Sequence, residues 1–408
     1  MVRKLSPEEQ PWCIDKETGE PIINKGVQNV CIDKSTICYI DGYHSKLFYR
    51  GYSIEDLAKY SCFEETAFLL LNGYLPTKNE LEDFKTKLIN ERELPGKVVD
   101  LLRMIPKDIE PMEMLRTAVS YLGNLDPERH DISRDGFYNK AIRLIAKMPT
   151  IVAYFYRIIN DKELVPPNEG MAHAENFLHM FLGRDLEEIE KDAIDTAFVL
   201  YAEHEMNASA FTTVVIASTA SDYYSSIIGG IGALRGPLHG YANVEAMRQF
   251  NEIGSVNNVE KWFKEYILTK KKRLMGFGHR VYRSYDPRAK IFREYAEKLA
   301  TMRGGRILEI YNIAKKLEEV ALSSPLAEKG IYTNTDYWSA IVYGALGVPT
   351  DFFCTLFALS RVVGWTAHIL EYTENNRIIR PRLFYVGEVD KEYIPIEKRA
   401  PSVESKVT

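Results

Sequence analysis

The stretch TDFFCTLFALSRVVGWTAHILEY (350–372) is apolar on nearly every face of a helix, yet it carries Arg361. A helix that is hydrophobic all round must be surrounded, either by protein or by lipid. Arg361 and His368 within it argue against a membrane span and for a helix buried in a large core. A guanidinium in that setting cannot stay unpaired, because an isolated buried charge costs several kcal/mol. Either an internal acid meets it or the carboxylate of a ligand does. At 408 residues the chain has length for two domains with real cores.

The remaining pattern is almost entirely helical. Ser53-Ile54-Glu55-Asp56 reads as a capped helix start. Glu64 to Asn72 is amphipathic and stops at Gly73, with Pro76 beyond. Residues 184–205, RDLEEIEKDAIDTAFVLYAEHE, place acids early and apolar residues at helical spacing later. The exception lies between Val27 and Tyr52, where β-branched and aromatic runs are broken by Asp41-Gly42 and predict a small antiparallel sheet. Residues 1–25 read as a loose arm. Residues 207–236 are rich in Ala, Ser, Thr and Gly, which lets helices approach closely. The fold class expected is all-α with one small N-terminal antiparallel β-sheet.

Composition excludes more than it assigns. The chain is 46% hydrophobic and 27% charged with net charge −5, so nothing argues for nucleic acid as a partner. The basic run Lys270-Lys271-Lys272-Arg273 is either a solvated face or a contact for a small polyanion. MVRKLSPEEQPWC has no apolar signal-peptide core, and five cysteines without a CxxC pair fit reduced thiols in the cytoplasm. Only three glutamines in a Lys/Glu-rich chain point to a thermophile, in which case Cys13 is the first candidate for a disulfide.

Three histidines stand in unusual surroundings: His204 at the end of an apolar helix in YAEHEMNAS, and His239 in GPLHGYAN and His279 in GFGHRVYRSYDPRAK beside glycines and prolines. His239 precedes a helical pattern, and a helix N-terminus disfavours imidazolium, leaving a neutral hydrogen-bond donor for a developing enolate. His279 sits among Arg280, Arg283, Arg288 and Lys290 and is likewise expected to resist protonation. Asp336 in NTDYWSA either caps the next helix or serves as a general base whose pKa burial raises. Arg380 and Arg382 flank Pro381 in an extended tail, solvated or reaching a neighbouring subunit. No HExxH, Walker loop or dinucleotide fingerprint is present, and no metal is expected.

The motifs LFYRGYSIEDLA, YAEHEMNAS, GALRGPLHGYAN, MGFGHRVYRSYDPRAK, NTDYWSA, SRVVGWTAHILE and IIRPR run in one order over about 47–382, and in that order the chain resembles the citrate synthase family. The resemblance implies a large helical domain (26–238 with 343–408), an inserted small helical domain (239–342) that closes over the site, and a homodimer in the cytoplasm. It implies condensation of acetyl-CoA with oxaloacetate and hydrolysis of citryl-CoA, a step of the tricarboxylic acid cycle, with no cofactor beyond the acetyl-CoA substrate. His239 would stabilise the enol of acetyl-CoA, Asp336 would remove its methyl proton, and His279 would polarise the ketone of oxaloacetate. His204, Arg288 and Arg361 would hold oxaloacetate, with Arg380 of the partner subunit. Arg273 and Arg283 would meet CoA phosphates, and the backbone at Gly276 and Gly278 would approach the adenine. Tyr241 stands where many members have glycine, and YAEHEMNAS and GWTAHILE resemble 2-methylcitrate synthases, so propionyl-CoA is the alternative acyl donor.

Overall fold

A computed structural model describes residues 2–6, 9–27, 30–279, 281–328 and 330–399; Arg280 lies outside them. Residues 35–378 form one compact unit, and the described parts of 1–34 and 379–408 form a second.

In the larger unit the expected hairpin pairs Cys38–Asp41 with Lys46–Tyr49, antiparallel, and a short third strand follows at Tyr52–Ser53. The first helix, Ile54–Tyr60, starts where Ser53 accepts a hydrogen bond from the Asp56 backbone. The next, Phe63–Asn72, ends on Gly73 in a left-handed conformation that glycine adopts without strain. The remaining regular elements of this unit, among the described residues, are all helices. The apolar helix Phe353–Glu374 runs through the centre and packs on Arg134–Ile159 and Ala208–Ala217. The segment Thr350–Glu374 is long and apolar enough to span a bilayer, and its apolar window is wholly buried in protein.

The small-residue stretch is a packing device. Helices Ala208–Ala217 and Tyr223–Leu234 lie against each other, and a Cβ at Gly230 would stand 2.7 Å from Thr213 Cγ2 and 3.0 Å from Trp365. No side chain larger than hydrogen fits there.

In the smaller unit the described part of residues 1–25 is not a loose arm: Arg3–Lys4 pairs antiparallel with Glu388–Val389, a two-residue pairing in addition to the expected small sheet. Gln10 donates to the Tyr385 carbonyl at 3.0 Å and accepts its N–H at 2.7 Å, while Arg382 stacks 4.5 Å over Trp12. Cys13 has no disulfide partner; all five cysteines are free thiols, and these backbone and ring contacts tie the termini instead.

Candidate active site

The helix Glu188–Tyr201 stops just before His204, and Asn207 opens the next helix by accepting hydrogen bonds from the Ser209 and Ala210 backbones. His204 is held between these two helices, buried, with no partner for Nε2. Burial, then the charge of Arg288, drives its pKa well down, so the ring is neutral. The His279 ring lies 5.0 Å away, edge to face.

His279 is placed by a seam between two distant segments. The Gly278 N–H donates to Tyr332 at 2.8 Å, and Asn334 returns its backbone N–H to Gly276 at 2.9 Å and its side chain to Gly278 at 3.0 Å. Both glycines have positive φ, and a Cβ on Gly276 would press to 2.7 Å from Tyr337 Cδ2. The seam alone therefore requires glycine at 276. His279 Nδ1 accepts the N–H groups of Val281 at 3.0 Å and Tyr282 at 3.2 Å. The proton of the neutral ring consequently sits on Nε2, free to donate. Burial, modulated by Asp286 and Arg288, lowers this pKa to about 4.

The same seam carries Asp336. Asn334, not Asp336, caps the helix Thr335–Ala345, accepting the Asp336 N–H at 3.1 Å. The Asp336 carboxylate instead receives the Tyr201 hydroxyl at 3.2 Å, and that hydroxyl is 2.7 Å from Ser339 Oγ. Burial pushes Asp336 up to about 7, against the opposing pull of Arg288 and Tyr201. Tyr201 and Ser339 were missed by sequence reasoning. Nothing in YAEHE marks the phenol as facing a carboxylate 135 residues away.

His239 precedes the helix Ala242–Ile253, as expected, but burial and then Arg361, rather than the helix terminus, lower its pKa to about 3. The Ser209 N–H points at its Nε2 at 3.3 Å and the Ser209 hydroxyl lies at 2.8 Å. An amide can only donate, so the proton of His239 sits on Nδ1. Trp365 Nε1 in turn donates to Ser209 Oγ at 3.0 Å. Ser209, hidden in a small-residue run, is a second residue the sequence did not flag.

The two buried arginines of this site, Arg288 and Arg361, differ. Asp286 takes Nε and Nη2 of Arg288 at 3.1 and 2.8 Å, one edge of its fork. Arg361 has no ion-paired acid among the described residues: Nε donates to the Tyr201 carbonyl at 2.7 Å, Nη2 has no partner, and the group lies 4.7 Å over Phe357. The nearby Glu203 attracts the guanidinium without bonding to it: its Oε1 is 2.8 Å from His368 Nε2, its Oε2 has no hydrogen-bond partner, and burial outweighs its pull, lowering the pKa of Arg361. Arg273 and Arg283 are exposed. Arg380, in the smaller unit, is exposed and donates only weakly to the Pro381 carbonyl at 3.4 Å. Tyr241 is half-buried beneath Arg248, 5.6 Å from its ring.

His239, His279, Arg288 and Arg361 all lie within electrostatic reach of His204, and Arg288 and Arg361 also act on Asp336. Two imidazoles with fixed N–H positions, a guanidinium with an unused donor and a carboxyl poised near neutrality can grip a small anion and remove a weakly acidic proton. Residues 26–382 match the family model for the citrate synthase C-terminal domain. The chain belongs to the citrate synthase family. It is 45% identical to citrate synthase of Saccharolobus solfataricus over 93% of this chain and all of that one. A citrate synthase of Thermoplasma acidophilum, solved as a ternary complex with carboxymethyl coenzyme A and oxaloacetate, superposes with a TM-score of 0.88 at 41% identity, covering 92% of this chain and 99% of that one. The family likeness extends to 2-methylcitrate synthase 1 of Corynebacterium glutamicum, 39% identical over 92% of this chain and 98% of that protein.

Proposed function

We propose that this protein condenses acetyl-CoA with oxaloacetate and hydrolyses the citryl-CoA formed, releasing citrate for the tricarboxylic acid cycle, and CoA. The observation that carries this reading is a pair of buried, unpartnered polar atoms, Arg361 Nη2 and His204 Nε2, beside the neutral His279. Leaving such groups unsatisfied costs about 1–3 kcal/mol each, a cost that a bound dicarboxylate removes.

Oxaloacetate binds first. Arg361 and the free donors of Arg288 take its carboxylates, His204 hydrogen-bonds it, and His279 Nε2–H points at the ketone oxygen. Arg380 of the partner subunit completes the cradle in a homodimer. The region 239–342 then closes, excluding water and completing the acyl-CoA site, with Arg273 and Arg283 on the CoA phosphates and the backbone at Gly276 and Gly278 along the adenine.

The chemistry is a matched acid–base pair. The thioester methyl proton is weakly acidic, so Asp336 removes it only as His239 Nδ1–H stabilises the developing enol oxygen. The enol carbon attacks the ketone while His279 stabilises the alkoxide. Water then cleaves the thioester. Every proton carrier here is a side chain, and a chelator is expected to leave turnover unchanged.

Propionyl-CoA is the second reading, favoured by the 2-methylcitrate synthase relative. One methylene is worth only about 1–3 kcal/mol of discrimination, so some activity on both is expected. Free-thiol release with oxaloacetate and each acyl-CoA in turn tests the assignment. A higher kcat/KM for acetyl-CoA is expected; a large propionyl preference would assign 2-methylcitrate synthesis instead.

A further inference from the structure

The hairpin Cys38–Tyr49 touches both sides of the candidate oxaloacetate site, although none of its own side chains belongs to that site. At its base, the buried Tyr49 hydroxyl donates to the Glu203 carbonyl at 2.7 Å, with the Leu200 carbonyl at 3.1 Å, fixing the chain next to His204. At its tip, the Gly42 carbonyl accepts the Arg283 N–H at 2.9 Å, Ser284 Oγ lies 3.2 and 3.3 Å from the Gly42 and Tyr43 carbonyls, and Ser45 Oγ is 2.7 Å from Ser284 Oγ. Asp41 pre-forms this tip by accepting the Tyr43 and His44 N–H groups at 3.1 and 3.0 Å. Gly42 is buried against the loop: a Cβ there would stand 2.9 Å from the Val281 carbonyl carbon and closer still to its oxygen.

Val281 and Tyr282 are the residues whose N–H groups hold His279 Nδ1. We infer that the Cys38–Tyr49 hairpin is a positioning element that sets the distance between His204 and His279, with Gly42 and Ser284 as its contact with the His279 loop. A shift of the 281–284 loop would turn the His279 ring and misdirect its Nε2–H. Small displacements of this kind cost orders of magnitude in rate when the reacting geometry is tight. The inference rests on the proposed oxaloacetate site.

The test uses the full-length protein, with Gly42→Ala and Ser284→Ala variants, followed by steady-state kinetics, oxaloacetate titration calorimetry and thermal melting. For Gly42→Ala, about a tenfold or greater rise in the KM and Kd for oxaloacetate is expected, with a fall in kcat. Ser284→Ala, which adds no bulk, moves the same constants by about threefold with the melting temperature unchanged. If Gly42→Ala does not fold, Ser284→Ala decides. Variants that melt earlier yet keep wild-type KM and kcat would reduce the hairpin to a structural role and overturn the inference. Wild-type protein that neither binds oxaloacetate nor releases CoA would overturn the functional reading itself.

Discussion

Asp336→Ala is expected to lower kcat by about 10³-fold or more while leaving oxaloacetate affinity within about twofold of wild type. The carboxylate receives its hydrogen bond from Tyr201; in the proposed function it serves the acyl-CoA half of the site, and Arg361, Arg288 and the histidines serve oxaloacetate. Removing the base therefore removes chemistry and spares the first binding step. The same residue sets the pH dependence. With a pKa raised to about 7, the group is half ionised at neutrality. Only the ionised form accepts a proton, so kcat falls as pH drops below 7 and reaches a plateau above it, approaching a tenfold loss per unit on the acid side. Tyr201→Phe removes a donor that favours the carboxylate, and the acid limb then moves to higher pH. A flat profile between pH 6 and 8, or loss of oxaloacetate binding in folded Asp336→Ala, would contradict this role.

Arg361→Met is expected to weaken oxaloacetate binding by about 10²-fold or more, since truncating one partner of a buried charged hydrogen bond costs about 2–5 kcal/mol. The same substitution is expected to leave the melting temperature unchanged or raise it. In the ligand-free protein Arg361 is buried, without an ion-paired acid, and with Nη2 unsatisfied, so a methionine of similar volume relieves a desolvation cost. The two readings of this arginine open at the sequence level separate here. An arginine serving an internal ion pair would cost about 3–5 kcal/mol of stability on removal. Calorimetric titration with oxaloacetate beside a thermal melt distinguishes them in one preparation.

What could be read from the sequence was local or compositional. The Asp41-Gly42 turn, the Ser53 cap, the stop at Gly73 and the buried helix around Arg361 each follow from residues a few positions apart. The histidines were legible as neutral, but for a different reason: burial, which depends on the assembled fold, outweighs the helix terminus invoked for His239 and the arginines invoked for His279. Asp336 was open between cap and base; Asn334 takes the cap and Tyr201 meets the carboxylate, which leaves the base as the proposed role. Contacts between distant segments were out of reach. Gly42 and Ser284 are 242 residues apart, and no periodicity links them. The glycines of GFGH were noticed, but their seam with 332–334 and the close approach of Tyr337 appear only once both segments are folded.

A crystal structure of the protein with oxaloacetate bound is the sharpest test of the proposal that Arg361, buried without an ion-paired acid, holds a dicarboxylate beside a neutral imidazole. The account predicts a ligand carboxylate on Arg361 Nη2, the ketone oxygen within hydrogen-bond distance of His279 Nε2, and Asp336 left free for the second substrate. Oxaloacetate bound elsewhere, with Arg361 Nη2 and His204 Nε2 still unpartnered, would contradict it.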